Sequence, residues 1–425
     1  MAPINPELKK RIYTDQVALD PDNILSPGDK RKFRQLISSY SDIIRPEPGR
    51  YNGKMGHIDN SINFASRPPP NRKVYHQKLT EDQKRLLGEK MDKLMSWGVL
   101  AYPEQVGVRV EFISPSMLRP KQEKNEFRMV TDLAALNPFI KQPPASNPTI
   151  QEARDALAKA NYHIHLDLAN WFYQSGMSRE DIQYLGTVHP SKGVMVYVVE
   201  PQGLAGASEH AYEKLARIYG SLISKGKLTR MADGLHVLAQ TIDEGYETLE
   251  EVFRLARLCG LHFKPSKIEI FPRKMVLFGW DLKDHAWTPT AHTTSSLLKV
   301  PLPKTVKQMR AFLGSFKQFS ACVRRHGELL SKLESLTGSH KPSAEIIQYT
   351  PEEEQAFYTA REASSKVEAF TVPRPSDRLF TYSDYSKDHK AVGGKLEFER
   401  TMPDGKIKRF LGGYFSVMVD SMRSA

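Results

Sequence analysis

The sequence predicts an α+β fold in which an antiparallel sheet is backed by helices. Three observations carry that expectation. Residues 163–168 alternate strictly, with Ile164, Leu166 and Leu168 on one side and His163, His165 and Asp167 on the other; this is the period of a half-buried strand. Hairpin signatures recur, at His189-Pro-Ser-Lys-Gly193 and at Asp233-Gly234, each between strand-forming runs. Capped amphipathic helices lie between these hairpins, a pattern of sheet with covering helices.

The elements follow in order. The segment to about Lys78 is rich in Pro and Gly and predicts one helix, opened by Ser26-Pro27 with Phe33, Leu36, Ile37 and Tyr40 on one face. Pro68-Pro-Pro70 reads as an extended connector across Arg67–Arg72. Thr80 and Gln83 form a capping box for a helix with an apolar stripe of Leu87, Met91, Leu94 and Met95, ended by Gly98. Strands are expected across 109–137, around the mostly basic loop that starts at Arg119. Val194–Val199 completes the first hairpin, Leu204–Ile223 reads as a helix, and Leu228–Leu238 as the second hairpin. Thr241 and Glu244 cap a helix with Leu249, Val252, Phe253 and Ala256 on its face, ended by Gly260; Met275–Leu282 reads as one apolar strand. From Lys304 to Ser320 there is no acidic residue, and Met309, Phe312, Phe316 and Phe319 fall opposite Lys307, Arg310 and Lys317. Thr350-Pro351 with Glu353 opens another helix, and Arg378–Ser416 reads as three strands turning at Asp404-Gly405.

At 425 residues the chain has room for two to four domains. Its formal charge of +12 and pI near 9.4 favour a polyanionic partner, nucleic acid first. Cys259 and Cys322 are its two cysteines, too few for a disulfide framework or a zinc cluster, which fits a reducing intracellular setting. The N-terminal residues do not have the character of a signal peptide, and no run approaches a membrane span, so no membrane partner is expected. His163, His165 and Asp167 share a strand face and could be read as zinc donors, but no further ligand cluster joins them.

A series of segments, in register, resembles reverse transcriptases. Phe127-Arg128-Met-Val-Thr-Asp132-Leu-Ala-Ala-Leu-Asn137 is similar to the family's fingers-to-palm segment, and His165-Leu-Asp167-Leu-Ala-Asn-Trp-Phe172 to its first catalytic motif. Pro201-Gln202-Gly203 resembles the next motif, and Met231-Ala-Asp233-Gly234 sits where a Tyr-x-Asp-Asp hairpin belongs. Gly260-Leu-His-Phe-Lys-Pro-Ser-Lys267 and Leu277-Phe278-Gly279-Trp280 resemble the two that follow. Lys307–Phe319 resembles a later segment of the polyproteins of Gypsy-like LTR retrotransposons, and Phe380-Thr-Tyr-Ser-Asp384-Tyr-Ser the opening strand of their RNase H domain.

The resemblance implies a right-hand polymerase fold: an N-terminal extension and connector over 1–77, fingers and palm over 78–300, thumb or connection helices over 301–370, and a truncated RNase H-like sheet over 371–425. It implies RNA-directed DNA synthesis on a primed RNA or DNA template from deoxynucleoside triphosphates. Two Mg²⁺ ions, with Mn²⁺ as a substitute, would be held by the catalytic Asp167 and Asp233. Arg128, Lys121, Phe172, Gln202 and Lys267 would meet the nucleotide, Phe172 as the aromatic gate beneath the deoxyribose. Phe278, Gly279 and Trp280 would position the primer end, and Lys307, Arg310 and Lys317 would lie along the duplex backbone. The expected location is the cytoplasm or a retrotransposon particle. Gly234 departs from the family pattern by removing one carboxylate, and it leaves two outcomes open: an active polymerase, or an inactive nucleic-acid-binding remnant. Taken alone, Asp-Gly at a hairpin tip is also an ordinary turn. About forty residues follow Asp384, so no RNase H activity is expected.

Overall fold

The computed structural model describes residues 12–58, 60–71, 78–120, 127–142, 149–231, 234–277, 279–386, 391–402 and 405–418. The chain forms two compact units, Met1–Ala153 with Tyr162–Pro272, and Arg154–Asn161 with Arg273–Ala425.

In the first unit, strand β1 (Ala18–Leu19) precedes helix α1 (Pro27–Ser39). The Ser26 hydroxyl accepts the Asp29 amide at its start, and Phe33, Leu36 and Ile37 are buried. Helix α2 (Glu81–Ser96) opens on the Thr80–Gln83 capping box, and Gly98 follows it at φ +64°, the left-handed stop that glycine accepts most easily. Then come β2 (Leu100–Ala101), α3 (Pro103–Val106), β3 (Ser116–Pro120), β4 (Phe127–Thr131), α4 (Ile150–Lys159), most of whose residues belong to the second unit, and β5 (Tyr162–Asp167). After β5 follow α5 (Arg179–Ile182), β6 (Gly186–His189), β7 (Gly193–Tyr197), α6 (Ala207–Ser224), β8 (Leu228–Met231), β9 (Gly234–Ala239), α7 (Ile242–Cys259) and β10 (Glu269–Ile270).

The largest sheet has the order β1-β10-β5-β9-β8, antiparallel except for the short β1–β10 pair. One face carries Ile164, Leu166, Leu235 and Val237 into a single core with Leu215 and Ile218 of α6 and Leu249, Val252 and Phe253 of α7. Each such fully buried side chain contributes roughly 1.5–3 kcal/mol. The opposite face presents His165 and Asp167, and the period of two that the sequence shows is what separates them from the core. A second core joins α2 to the sheet β2-β7-β6 and to the β3–β4 hairpin through Leu87, Met91, Leu100, Leu118, Met195 and Tyr197.

In the second unit, β11 (Lys274–Leu277), β12 (Trp280–Lys283) and β13 (Ala286–Pro289) form an antiparallel sheet. The single strand expected over Met275–Leu282 is therefore two strands. Gly279 between them sits at φ +80°, and a Cβ there would lie 2.6 Å from Thr293 Oγ1, so the chain reverses where only glycine fits. The sequence reading did not include β13. Its turn is made by Asp284 and His285, both at positive φ (50° and 66°), the backbone of a type I′ hairpin in residues other than Asn-Gly. Helices α8 (Ala291–Leu298), α9 (Val306–Lys317), α10 (His326–Glu334) and α11 (Pro351–Ala363) follow. The antiparallel sheet β14 (Arg378–Ser386), β15 (Ala391–Thr401) and β16 (Ile407–Met418) completes the unit. It is anchored at one end by stacked Phe398 and Phe410, 5.7 Å between centroids, and by a buried ion pair, Arg400 Nη2 to Asp377 Oδ2 at 2.7 Å.

Candidate functional site

Asp167 closes β5, half-buried, and its carbonyl oxygen accepts the Lys264 amide at 2.8 Å. That bond draws the turn Pro265–Lys267 against the strand end. Across the sheet Asp167 stands in register with Gly234, the first residue of β9, and Gly234 with Met231 of β8. Asp233 lies outside the described residues.

Gly234 is not in the left-handed region, so its backbone does not call for glycine. Space does: a Cβ there would lie 3.3 Å from His165 Cε1 and 3.3 Å from the Met231 carbonyl. His165 faces His236 in the next register pair, with the two Nδ1 atoms 3.3 Å apart and the rings 4.7 Å between centroids. Burial pushes the His165 pKa down to about 4, and Lys267 adds to the effect. Burial also pushes the fully enclosed His236 well below its ordinary value, with His165 and His163 adding. Both rings are therefore neutral at neutral pH. Among the described residues no group of three or more His, Cys, Asp or Glu could hold a metal ion, so the donor pattern of His163, His165 and Asp167 forms no zinc site there. Asp167 offers carboxylate oxygen, the donor that Mg²⁺ takes.

A second cluster forms beside the first. Phe172 lies in the short 3₁₀ turn Trp171–Gln174 directly after β5. It lines one small cleft with Asn170, Tyr173 and Gln202, so the structure brings Phe172 and Gln202 together. Asn170 enters the turn at φ +48° and its side-chain amide donates to the Pro46 carbonyl at 3.1 Å. The Gln202 loop bends at Gly203 and Gly206, φ +89° and +88°, and starts from Glu200, which is buried. There Glu200 Oε1 meets His210 Nδ1 at 2.8 Å, Oε2 meets Lys214 Nζ at 3.4 Å, and Lys214 Nζ also donates to Ser175 Oγ. Burial lowers the Lys214 pKa, and Glu200 opposes that.

Arg128 is exposed on β4, directly opposite Arg119 of β3. Like charges face to face across a hairpin are unfavourable by themselves, and two guanidinium groups there suit a polyanion. The sequence reading had Arg119 only as the start of a basic loop; it is a strand residue paired with Arg128, and the register needed to see this is not in the composition. Lys121 and Phe278 lie outside the described residues. Lys267 is exposed at the end of its turn.

In the second unit Gly279 makes the β11–β12 reversal, and Trp280 is buried against Phe319 (5.6 Å) and Phe370 (5.7 Å), with the Arg154 guanidinium 4.4 Å above its ring. On α9, Lys307 is exposed and Lys317 pairs with Glu334 at 2.7 Å. Arg310 donates to the carbonyls of Gly338 (3.0 Å) and Lys341 (2.9 Å) and to Ser343 Oγ (3.2 Å), so its guanidinium fastens the 337–343 segment. Asp384 is exposed on β14 and accepts the Tyr385 amide at 2.9 Å.

The chain matches no protein-family model. It is 23% identical over 222 residues to the transposon Tf2-7 polyprotein of the fission yeast Schizosaccharomyces pombe, and 24% over 222 residues to the Tf2-3 polyprotein of the same yeast. Each alignment covers 52% of this chain and 16% of the polyprotein; the chain thus spans a small part of the curated relatives it matches. Among solved structures it is similar to the foamy viral protease-reverse transcriptase in complex with double-stranded DNA, with a TM-score of 0.75 at 17% identity, over 96% of this chain and 67% of that one. The same viral protein in complex with an RNA/DNA hybrid gives 0.68 at 16% identity, over 95% and 51%. The fold is that of the retroviral reverse transcriptases, and in sequence the chain resembles the reverse-transcriptase region of LTR-retrotransposon polyproteins.

Proposed function

We propose that this chain is the polymerase part of a Gypsy-like retrotransposon polyprotein and adds deoxynucleotides to a primer on an RNA or DNA template. The observation that carries the proposal is the β5–β9 register. Asp167, at the end of β5, stands opposite Gly234, the residue that follows Asp233, and this supports two carboxylates meeting at the ends of these two central strands. Asp167 and Asp233 would hold Mg²⁺, with Mn²⁺ as a substitute; the bound cations supply charge neutralisation at the triphosphate and lower the pKa of the primer hydroxyl. The protein's own groups orient the substrate. Phe172 and Gln202 line the cleft that would take the sugar and base; Arg128 and Arg119, with Lys121, would meet the triphosphate, and Lys267 the leaving pyrophosphate. Lys307 and Lys317 would lie along the duplex, Arg310 holding their helix in place, and Phe278, Gly279 and Trp280 would shape the primer-end hairpin. In this reading residues 78–300 are fingers and palm, 301–370 thumb or connection, and 371–425 an RNase H-like sheet. The setting is cytoplasm or particle; among the described residues no helix is long and apolar enough to cross a membrane.

One observation favours a second reading, that of a non-catalytic nucleic-acid-binding remnant. His165 borders the place where a side chain at 234 would go, so the missing carboxylate has no ready space. Primer extension on an RNA template with Mg²⁺ tests both. Incorporation by the native chain that falls to background in Asp167→Asn and in Asp233→Asn supports the polymerase. Equal incorporation by all three, or none by any, overturns it, and duplex binding with a steep salt dependence would then mark the remnant.

A further inference from the structure

Four hydroxyls run through the first unit in an unbroken chain that ends on the ring of Tyr173. Thr187 Oγ1 meets Ser116 Oγ at 2.7 Å, Ser116 Oγ meets Thr131 Oγ1 at 2.7 Å, and Thr131 Oγ1 meets Tyr197 Oη at 2.7 Å. Tyr197 lies in turn on Tyr173, their rings stacked with centroids 6.2 Å apart. Ser116, Thr131, Thr187 and Tyr197 are all buried; Tyr173 lines the cleft with Phe172 and Gln202.

We infer that this hydroxyl chain is a positioning device, which sets the β3–β4 hairpin and its two arginines at a fixed place relative to the Phe172 cleft. Ser116 and Thr131 are partners on the two strands of the hairpin, so both strands are tied at one level. Arg119 and Arg128 sit three residues further along, about 10 Å at the rise of a strand. A small tilt at the tie would move both guanidinium groups. Apolar contacts alone let packed elements slide, whereas a hydroxyl chain has discrete geometry and each broken link leaves a buried group unsatisfied. Burial keeps both tyrosines protonated, so the chain does not come apart by ionisation at neutral pH. Its cleft end is held independently: the half-buried Arg50 guanidinium donates to the Tyr173 carbonyl at 2.6 Å and to those of Trp97 and Gly98 at 2.9 Å. That ties the Phe172 turn to the end of α2.

The part that concerns nucleotide binding rests on the polymerase reading, and the test separates the two. Tyr197→Phe removes the hydroxyl at the Tyr173 end of the chain at nearly constant volume, and Thr131→Val the next one along. Ile218→Val, in the α6 core, is the comparison for a general loss of stability. In the free protein, amide exchange at 128–131 is expected to speed about threefold to tenfold in Tyr197→Phe and Thr131→Val, the factor a net hydrogen bond represents, and to stay unchanged in Ile218→Val. In primer extension the KM for deoxynucleotide is expected to rise with kcat unchanged. Unchanged exchange in Tyr197→Phe, or equal acceleration in Ile218→Val, overturns the inference whether or not the chain polymerises. Unchanged KM in an active enzyme overturns it as well.

Discussion

A side chain at position 234 would be crowded, and the obstacle is specific. Its Cβ would meet His165 Cε1 and the Met231 carbonyl, each at 3.3 Å, and the Met231 carbonyl is backbone that cannot step aside. Gly234→Asp should therefore destabilise the chain by about 1–3 kcal/mol, the usual range for overpacking. His165→Ala in the same chain should return part of that loss, because the ring is the one neighbour that can be cut away. Urea midpoints of the two single variants and the double variant measure the coupling. Additive losses would mean that His165 does not occupy the space in question. The sequence showed the departure at 234, and it placed Asp167 correctly through the alternation of 163–168. It did not show why glycine is there, because the cause is a cross-strand neighbour 69 positions away in the chain, at 165.

At the scale of elements, the loop that carries Gln202 depends on charges buried beneath it. Glu200 and Lys214 are both fully enclosed, with Ser175 and His210 completing the set. A buried pair of this kind is costly to break from one side, since the other charge stays behind without compensation. Lys214→Met should cost about 3–5 kcal/mol, while Glu200→Gln with Lys214→Met together should cost much less. Thermal unfolding of the two variants checks this, and a single-site loss below that of the double variant would refute it. None of this was legible beforehand: Lys214 reads as one more polar position of an amphipathic helix. Helix ends were legible, because Ser26, Thr80, Thr241 and Thr350 act on amides three residues away, and such local signals survive without tertiary context. The reversal at Gly279 was missed for the opposite reason. Val276, Leu277, Trp280 and Leu282 suit a continuous strand, whereas the left-handed backbone at 279 and the Thr293 contact that call for glycine there arise only in the fold.

For the whole molecule, the buried ionisable groups set a direction for acid stability in both units. Burial holds the pKa of His262 in the first unit and His285 in the second below the ordinary 6.5. The unfolded chain therefore binds protons at these sites before the folded one does, and stability falls as pH drops from about 6.5. Asp377 extends the loss. Burial raises its pKa, but the Arg400 hydrogen bonds and the Arg374 amide outweigh that and leave it below 3.8. Its contribution is present above 3.8 and disappears as pH falls through the folded value. Asp20, held by Lys30 and two backbone amides against the same burial effect, behaves alike in the first unit. The urea midpoint is expected to decline steadily from pH 7 to pH 4 and more steeply below. His262→Gln should flatten the decline between pH 6.5 and 4 for the first unit, and Asp377→Asn should flatten it below pH 4 for the second. Tryptophan fluorescence separates the units, with Trp97 and Trp171 in one and Trp280 and Trp287 in the other. A midpoint that stays level from pH 7 to pH 5 in the native chain would mean that the buried imidazoles do not govern its response to acid.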